Sequence, residues 1–236
     1  MENLKNIFRE LNIEFNDEKA VKYQGYMDEI LDRNQFINLT AITEHDEFIK
    51  KHYIDSLLCG SSEEFIKAET VIDVGTGGGF PGVPLAIAFP EKKFVLIDSL
   101  NKRIKIINEL CEKLGITNVQ AVHGRAEELA RRKDMRESFD ICISRAVANM
   151  STLSEYCIPF VKVGGCFIAY KGPDCQEELS EASKAIKIMG GSVTRIDRPQ
   201  LKNLPFEHTL VYVSKIENTK SKYPRKAGTP SKEPIK

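Results

Sequence analysis

Short apolar segments rich in β-branched residues alternate with helical patterns from about Thr70 to Ser214, and this alternation constrains the fold most strongly. Continuous apolar strands separated by helices predict a parallel sheet covered on both faces. Because such crossovers are right-handed, the sheet is expected to be doubly wound. The last two segments, 192–197 and 208–214, lack room for a crossover helix, so we expect an antiparallel ending. The parallel strands are predicted in TVIDV, FVLID, VQAV, FDICIS and CFIAY.

The chain divides into three predicted regions: a helical extension at 1–62, the α/β domain at 63–214 and a basic tail at 215–236. The tail carries seven basic residues, two acidic residues and three prolines. Such a segment cannot bury a core, and we expect it to be extended or disordered on its own. From composition alone, a solvated tail and an arm that lies on a phosphate backbone are equally good interpretations.

Helical periodicity dominates the N-terminal region. Leu4, Ile7 and Phe8 form one apolar stripe at i, i+3 and i+4, which predicts a first helix. Asn16 stands before an acidic first turn and is a candidate cap for a second helix. A third helical segment is predicted from about Glu44 to Leu58, with its apolar residues on one side.

The cysteines and the N-terminal residues indicate in which cellular compartment the protein resides. No two of the six cysteines have C-x-x-C spacing, and no histidine lies nearby at metal-ligand spacing, so neither a disulfide framework nor a metal site is predicted. The N-terminus is charged throughout, and no apolar run approaches the roughly 18 residues of a membrane span. We expect a cytoplasmic protein without membrane association, and a monomer, because nothing suggests an obligate dimer.

The strongest local signal is the glycine-rich turn after the first strand. Gly75, Gly77 and Gly79 follow a buried strand and precede an apolar helix. Glycine allows close approach of the backbone to a ligand, and the turn falls at the carboxyl end of the sheet, where open α/β folds bind ligands. The G-x-G-x-G spacing fits the dinucleotide fingerprint, G-x-G-x-x-G, less well.

Two acidic residues decide between the cofactors that such a turn binds. Asp73, two residues before Gly75, would repel a pyrophosphate but attract a sulfonium and an α-amino group. Asp98 ends the second strand and can accept hydrogen bonds from both ribose hydroxyls. The pair predicts a class I methyltransferase with a Rossmann-like fold that binds S-adenosylmethionine. An NAD-dependent oxidoreductase is the alternative enzyme.

The loop after the third strand contains Glu127 and Glu128 and should lie beside the adenine. A carboxylate there can recognise the adenine edge, or the two acids simply favour the dipole of the helix that follows.

The fourth strand ends in Arg145, without the Asp/Asn-Pro-Pro-aromatic run of amino-group methyltransferases or the Pro-Cys of cytosine C5 enzymes. The acceptor is therefore predicted to be neither an exocyclic amine nor cytosine C5. Arg145 can hold a phosphate or a base edge. Alternatively, it pairs structurally with Asp140 or another acid.

With these residues in place, the chain closely resembles the glucose-inhibited division protein B family, whose members form 7-methylguanosine in 16S ribosomal RNA. The resemblance spans nearly the whole chain, and its most specific motifs are H-x-x-D-S-L and Y-P-R-K-A-G-x-P. The matching segments are 38–42, 52–57, 73–85, 98–103, 143–146, 170–172 and 223–230.

The resemblance implies several residue roles. Contacts to S-adenosylmethionine are implied for Gly75, Phe80, Ala126, Glu127 and Arg145. It favours the RNA-contacting interpretation of the tail and implies a partner that is 16S ribosomal RNA or the small ribosomal subunit.

In the predicted reaction, Lys171, Arg225 and Lys226 hold RNA together with Arg145. His52 and Asp55 lie one helical turn apart, so both can face the cleft or form a structural pair. Guanine N7 carries no proton, so no general base is required. A noncatalytic RNA-binding or ribosome assembly protein on the same scaffold is the alternative outside the enzymes.

Overall fold

The structure is a computed structural model that describes residues 2–201 and 208–236. The strands of the described residues are β1 Thr70–Val74, β2 Lys93–Asp98, β3 Val119–His123, β4 Phe139–Arg145, β5 Val161–Lys171, β6 Gly191–Asp197 and β7 Thr209–Lys215. The α-helices are α1 Glu2–Glu10, α2 Asp17–Asn34, α3 His45–Phe48, α4 Asp55–Leu57, α5 Glu63–Lys67, α6 Gly82–Ala88, α7 Asn101–Lys113, α8 Ala126–Leu129, α9 Met150–Cys157, α10 Gln176–Ile188 and α11 Thr229–Lys232.

These strands form one seven-stranded sheet in the order β3-β2-β1-β4-β5-β7-β6. Strands β1 to β5 are parallel, and β7 is inserted antiparallel between β5 and β6. The predicted doubly wound α/β sheet with an antiparallel ending is confirmed. Because β1 lies between β2 and β4, the strand order reverses at β1, and the crevice outside its carboxyl end is where this topology places a ligand.

The N-terminal helices form as predicted, with one irregularity. The Asn16 side chain accepts a hydrogen bond of 2.9 Å from the backbone N–H of Lys19 and caps α2. The third helical segment continues from α3 through a π-helical turn at Ile49–Ile54 into α4 and a 3₁₀ turn at Leu58–Ser61. Single π turns inside helical segments are frequent at functional sites. This one contains His52 and precedes Asp55.

Region 1–62 shares its hydrophobic core with one face of the sheet. Buried side chains of α1 and α2 pack in the same cluster as those of α6 and α7. Buried tyrosines also connect the helices to backbone groups: the Tyr26 hydroxyl donates to the Gly78 carbonyl at 2.9 Å, and the Tyr53 hydroxyl donates to the Tyr23 carbonyl at 2.6 Å. The N-terminal helices therefore contact the glycine-rich turn directly.

The C-terminal segment, residues 216–236, differs from the extended or disordered arm that its composition suggests. Arg131 and Arg136 donate hydrogen bonds to main-chain carbonyls between residues 219 and 224. Arg225 pairs with the buried carboxylate of Glu155 at 2.8 Å. The segment needs no core of its own, because side chains of the α/β domain satisfy its backbone.

Two further expectations concern the whole chain. All six cysteines are free and buried. Within the described ranges, no helix has both the length and the apolar character needed to cross a membrane.

Replacing Tyr26 with Phe should lower the free energy of unfolding by about 1–3 kcal/mol, because it leaves the buried Gly78 carbonyl without its donor. Chemical denaturation followed by circular dichroism measures this change. Tyr156→Phe is the control, since that side chain is only partly buried. Equal effects of the two substitutions would show that the Tyr26 hydrogen bond does not stabilise the fold.

Candidate active site

The glycine-rich turn begins where β1 ends. The N–H groups of Gly75 and Thr76 both donate to the Ile97 carbonyl, at 2.9 and 3.1 Å, which ties the turn to β2. Gly75, Gly77 and Gly79 have φ values of +76°, +60° and +90°, a region that side chains disfavour. A Cβ on Gly79 would lie 2.3 Å from the Tyr26 hydroxyl, whereas one on Gly77 would meet nothing within 4 Å. The turn thus packs on α2 and leaves open space at Gly77.

The side chain of Asp73 stabilises this turn through hydrogen bonds. Its Oδ2 accepts hydrogen bonds from the Thr76 hydroxyl at 2.6 Å and from the Gly82 N–H at 2.9 Å. Its Oδ1 is buried and has no hydrogen-bond partner among residues 2–201 and 208–236. Burial raises the pKa of Asp73 to about 7, against the two hydrogen bonds, which lower it. A fixed carboxylate with one unsatisfied oxygen suits a positively charged ligand.

Asp98, at the end of β2, is also buried. Its Oδ2 accepts from the Gly77 N–H at 3.0 Å and its Oδ1 from the Leu100 N–H at 2.8 Å. Arg103 lies 3.5 Å from Oδ2. The carboxylate is therefore held rigidly, and each oxygen keeps a second lone pair for a ribose hydroxyl.

A pocket opens between the carboxyl ends of β1, β2 and β3. Its volume is about 440 Å³, the open mouth included, and its lining includes Gly75, Asp98, Ala126, Glu127 and Tyr156. A larger hollow, about 720 Å³, opens at the amino edge of the sheet beside residues 63–68, away from the glycine-rich turn. Topology therefore identifies the ligand pocket where size alone does not.

Phe80 is not among the residues that line this pocket. Its ring stacks on His52, with centroids 4.2 Å apart and an interplanar angle of 8°, and its other aromatic neighbours include Tyr26 and Phe48. The Arg145 guanidinium carbon lies 5.9 Å from the ring centroid. Phe80 thus links the glycine-rich turn to the group of residues around Arg145.

Arg145 lies at the carboxyl end of β4 and pairs with an acid, though not with Asp140. It forms an ion pair with Asp55, whose side chain is 2% exposed, and donates to the Lys51 carbonyl at 3.0 Å. Its second terminal nitrogen lies 3.3 Å from His52 Nδ1. Asp140, at the other end of β4, instead pairs with Lys162. The other acid that the sequence left open is therefore Asp55.

The group formed by His52, Asp55, Arg145 and His208, which we call the Arg145 cluster, is electrostatically polarised. Burial, reinforced by the positive charge of Arg145, lowers the pKa of His52 to about 3, so its ring is neutral near pH 7. Burial opposes the charge of Asp55, but the His208 hydrogen bond of 2.5 Å and the charge of Arg145 keep its pKa below the usual value. The cluster holds an ionised carboxylate and a fixed guanidinium.

The three residues expected to hold RNA differ in whether their side chains are already paired within the protein. Lys171 pairs with Glu178 at 2.6 Å and donates to the Ala148 carbonyl at 3.1 Å. Arg225 is bound to Glu155 by both its backbone and its guanidinium. Lys226 is exposed.

Sequence reasoning missed two functional neighbours. His208 contacts Asp55 although 153 positions separate them in the chain, so no local spacing indicated the pair. Glu155 lies inside the short helix α9. The only sequence signal for its pairing with Arg225 is the positive charge of the tail, which indicates that an acidic partner exists.

The residues that line the pocket fit S-adenosylmethionine together with Asp73 and Gly77, which lie beside it at the end of β1 and in the glycine-rich turn. The unpartnered Oδ1 of Asp73 can accept a positive group, and the open space at Gly77 admits a ligand against the backbone. Asp98 and Glu127 are buried carboxylates that line the same pocket. Asp73, Gly75, Gly77, Asp98, Ala126 and Glu127 would thus hold the cofactor, whereas Phe80 and Arg145 lie beside it.

The strand order and this pocket define a class I methyltransferase fold. Solved structures with the same fold include an O-methyltransferase from Bacillus cereus in complex with SAH, with a TM-score of 0.54, 16% identity and coverage of 80% of this chain and 90% of that one. Another is a ribosomal protein L11 methylase from Lactobacillus delbrueckii subsp. bulgaricus, with a TM-score of 0.51, 16% identity and coverage of 71% and 79%.

The family model "rRNA small subunit methyltransferase G" matches residues 19–206. The ribosomal RNA small subunit methyltransferase G of Clostridium perfringens is 50% identical over 226 residues, which cover 96% of this chain and 95% of that protein. The protein of the same name from Alkaliphilus oremlandii is 49% identical over 237 residues, with 99% of each chain covered. The chain belongs to this family, which confirms the resemblance found in the sequence.

The affinity for S-adenosylmethionine should increase as the pH rises through about 7, because only the ionised form of Asp73 attracts the positive ligand. The free energy of unfolding of the cofactor-free protein should decrease as the pH rises from about 4, the ordinary pKa of an Asp carboxyl, to about 7, and should level off above that, since the folded state binds the Asp73 proton more tightly than the unfolded state. Titration calorimetry and denaturation at several pH values measure both trends.

Asp73→Asn should remove this pH dependence. Asp98→Asn is the matched control: it should weaken binding at every pH while the slope remains. A wild-type affinity that does not change with pH would contradict the role of Asp73.

Proposed function

We propose that this protein transfers a methyl group from S-adenosylmethionine to N7 of a guanine in 16S ribosomal RNA, as free RNA or within the small subunit. The observation that carries the proposal is the 50% identity, over 96% of the chain, to a relative named ribosomal RNA small subunit methyltransferase G. The pocket beside Asp73 supports the cofactor, and the lowered pKa values of His52 and Asp55 beside Arg145 fit an acceptor atom that needs no deprotonation.

The chemistry of the Arg145 cluster fits an acceptor that already carries a lone pair. A general base works best with a pKa near the operating pH, but the pKa of His52 is about 3 and that of Asp55 lies below its usual value. Neither residue is suited to remove a proton near pH 7. Guanine N7 requires no deprotonation, so the task of these residues is to position the base.

Arg145 is held in a way that leaves donors for RNA. The guanidinium has five N–H donors, and its contacts with Asp55, Lys51 and His52 use three. The remaining donors have no partner within the described part of the chain. A phosphate or a base edge can therefore bind to Arg145 while Asp55 fixes its orientation.

The cofactor supplies an electrophilic methyl group on a positively charged sulfur. The protein's part is to bind and align: Asp73 and Asp98 fix the glycine-rich turn, Glu127 and Ala126 line the far end of the pocket, and the Arg145 cluster lies at the neighbouring end of β4. Alignment of two bound reactants can account for much of the acceleration of such a transfer.

We also propose that the protein acts as a monomer in the cytoplasm. One chain supplies every residue of the pocket and of the Arg145 cluster. Six buried free thiols are typical of a reducing compartment, and the proposed ribosomal substrate lies there too.

The direct test of the proposed function is incubation with labelled S-adenosylmethionine and unmodified small ribosomal subunits, followed by mapping of the label. Label at N7 of one guanine in 16S ribosomal RNA is the expected result. Cofactor binding without transfer would favour a noncatalytic RNA-binding or assembly protein. Binding of NAD in place of S-adenosylmethionine would favour an oxidoreductase.

Replacement of Arg145 with Ala should lower turnover at least about 100-fold through loss of the positioning charge. Because it also removes one of the side chains that pair with the buried Asp55, the double variant Arg145→Ala with Asp55→Asn should be inactive yet more stable than the single variant. Turnover on small subunits and thermal melting measure the two effects. Arg195→Ala is the control, since Arg195 is also paired with acids but on β6. Retained turnover in the Arg145 variants would contradict the assignment.

Lys226→Ala should weaken RNA binding and reduce the slope of log K against log salt by about one unit, through loss of one phosphate contact. Binding to a 16S ribosomal RNA fragment at several salt concentrations measures the slope. Lys93→Ala is the control, because Lys93 is also exposed but lies at the amino end of β2, away from the carboxyl ends of the strands. If both variants keep the wild-type slope, Lys226 does not contact RNA.

A further inference from the structure

The C-terminal segment reaches the cofactor pocket itself. The backbone N–H of Gly228 donates a hydrogen bond of 2.7 Å to Oε1 of Glu127. Glu127 is 4% exposed and lines the pocket with Ala126 and Tyr156. Its second oxygen has no hydrogen-bond partner within the described residues. One oxygen is thus fixed by the C-terminal segment, while the other stays available.

Gly228 is itself held on both sides. Upstream, Arg225 is bound to Glu155, which is 1% exposed, through its backbone N–H and a bidentate guanidinium contact. Downstream, the Thr152 hydroxyl donates to the Pro230 carbonyl at 3.1 Å. Glu155 and Thr152 both belong to α9, so the Gly228 N–H is placed by a rigid element of the domain.

A buried carboxylate is costly unless hydrogen bonds satisfy it, and an unrestrained Glu side chain loses rotamer freedom when it binds a ligand. The Gly228 N–H contributes to both requirements before any ligand arrives. Glu127 is therefore oriented in advance, which lowers the entropic cost of binding.

We propose that the C-terminal segment, residues 216–236, is a positioning element of the cofactor site, in which Gly228 orients Glu127 toward the adenine end of S-adenosylmethionine. This inference rests on the proposed function. It gives the segment a role that does not require RNA: loss of the Gly228–Glu127 contact weakens cofactor binding in the free protein.

The test compares two glycines with nearly the same conformation. Gly228 has φ +84° and Gly164 has φ +89°, and a Cβ on either would meet nothing within 4 Å. Gly228→Ala and Gly164→Ala therefore introduce similar backbone strain, but only the first shifts the N–H that Glu127 accepts. Titration of the full-length variants with S-adenosylmethionine, without RNA, should show at least about a fivefold loss of affinity for Gly228→Ala and no loss for Gly164→Ala.

A double-mutant cycle separates positioning from general destabilisation. In a Glu127→Ala background, Gly228→Ala should cause no further loss of cofactor affinity, because the contact is already absent. Equal affinities of wild type and Gly228→Ala, or additive losses in the cycle, would overturn the inference. A wild-type protein that fails to bind S-adenosylmethionine would overturn the proposed function as well, so the two failures are distinguishable.

Discussion

The buried carboxylate of Asp73 is the constraint on which the rest of the site depends. One of its oxygens holds Thr76 and Gly82, and with them both ends of the glycine-rich turn. The other is buried and has no hydrogen-bond partner in the part of the chain that the structure describes. Hydrogen bonds to a carboxylate and the burial of its charge act in opposite directions on the pKa, and here burial dominates, with a pKa of about 7. Burial of a carboxyl oxygen without a partner costs free energy, and a positively charged ligand bound beside it would lower that cost.

Elements distant in sequence complete the site around this turn. The N-terminal helices contribute Tyr26, which packs against Gly79, and Asp55, which fixes Arg145. The C-terminal segment contributes the N–H of Gly228 to Glu127. The N-terminal region thus contacts the glycine-rich turn and Arg145, and the C-terminal segment contacts the pocket. The regions that flank the sheet therefore take part in building the site.

Local features of the sequence predicted the fold well, because strand and helix periods, the glycine spacing and the strand-terminal acids Asp73 and Asp98 are local signals. The partners of the charged residues were not predictable in the same way. The choice of Asp55 over Asp140 for Arg145, and the burial of Arg225 against Glu155, depend on contacts between residues at least 70 positions apart. The basic residues and prolines of the tail predicted an extended segment. Composition does not show which arginines of the α/β domain bind the main-chain carbonyls of the tail.

The most direct measurement of the central claim is a crystal structure of the protein grown with S-adenosylmethionine. We expect the donor in the pocket between Gly75 and Glu127, with its positively charged groups toward the unpaired oxygen of Asp73 and its ribose at Asp98. A pocket that stays empty at saturating donor, or that takes up a pyrophosphate-bearing nucleotide in its place, would contradict the claim.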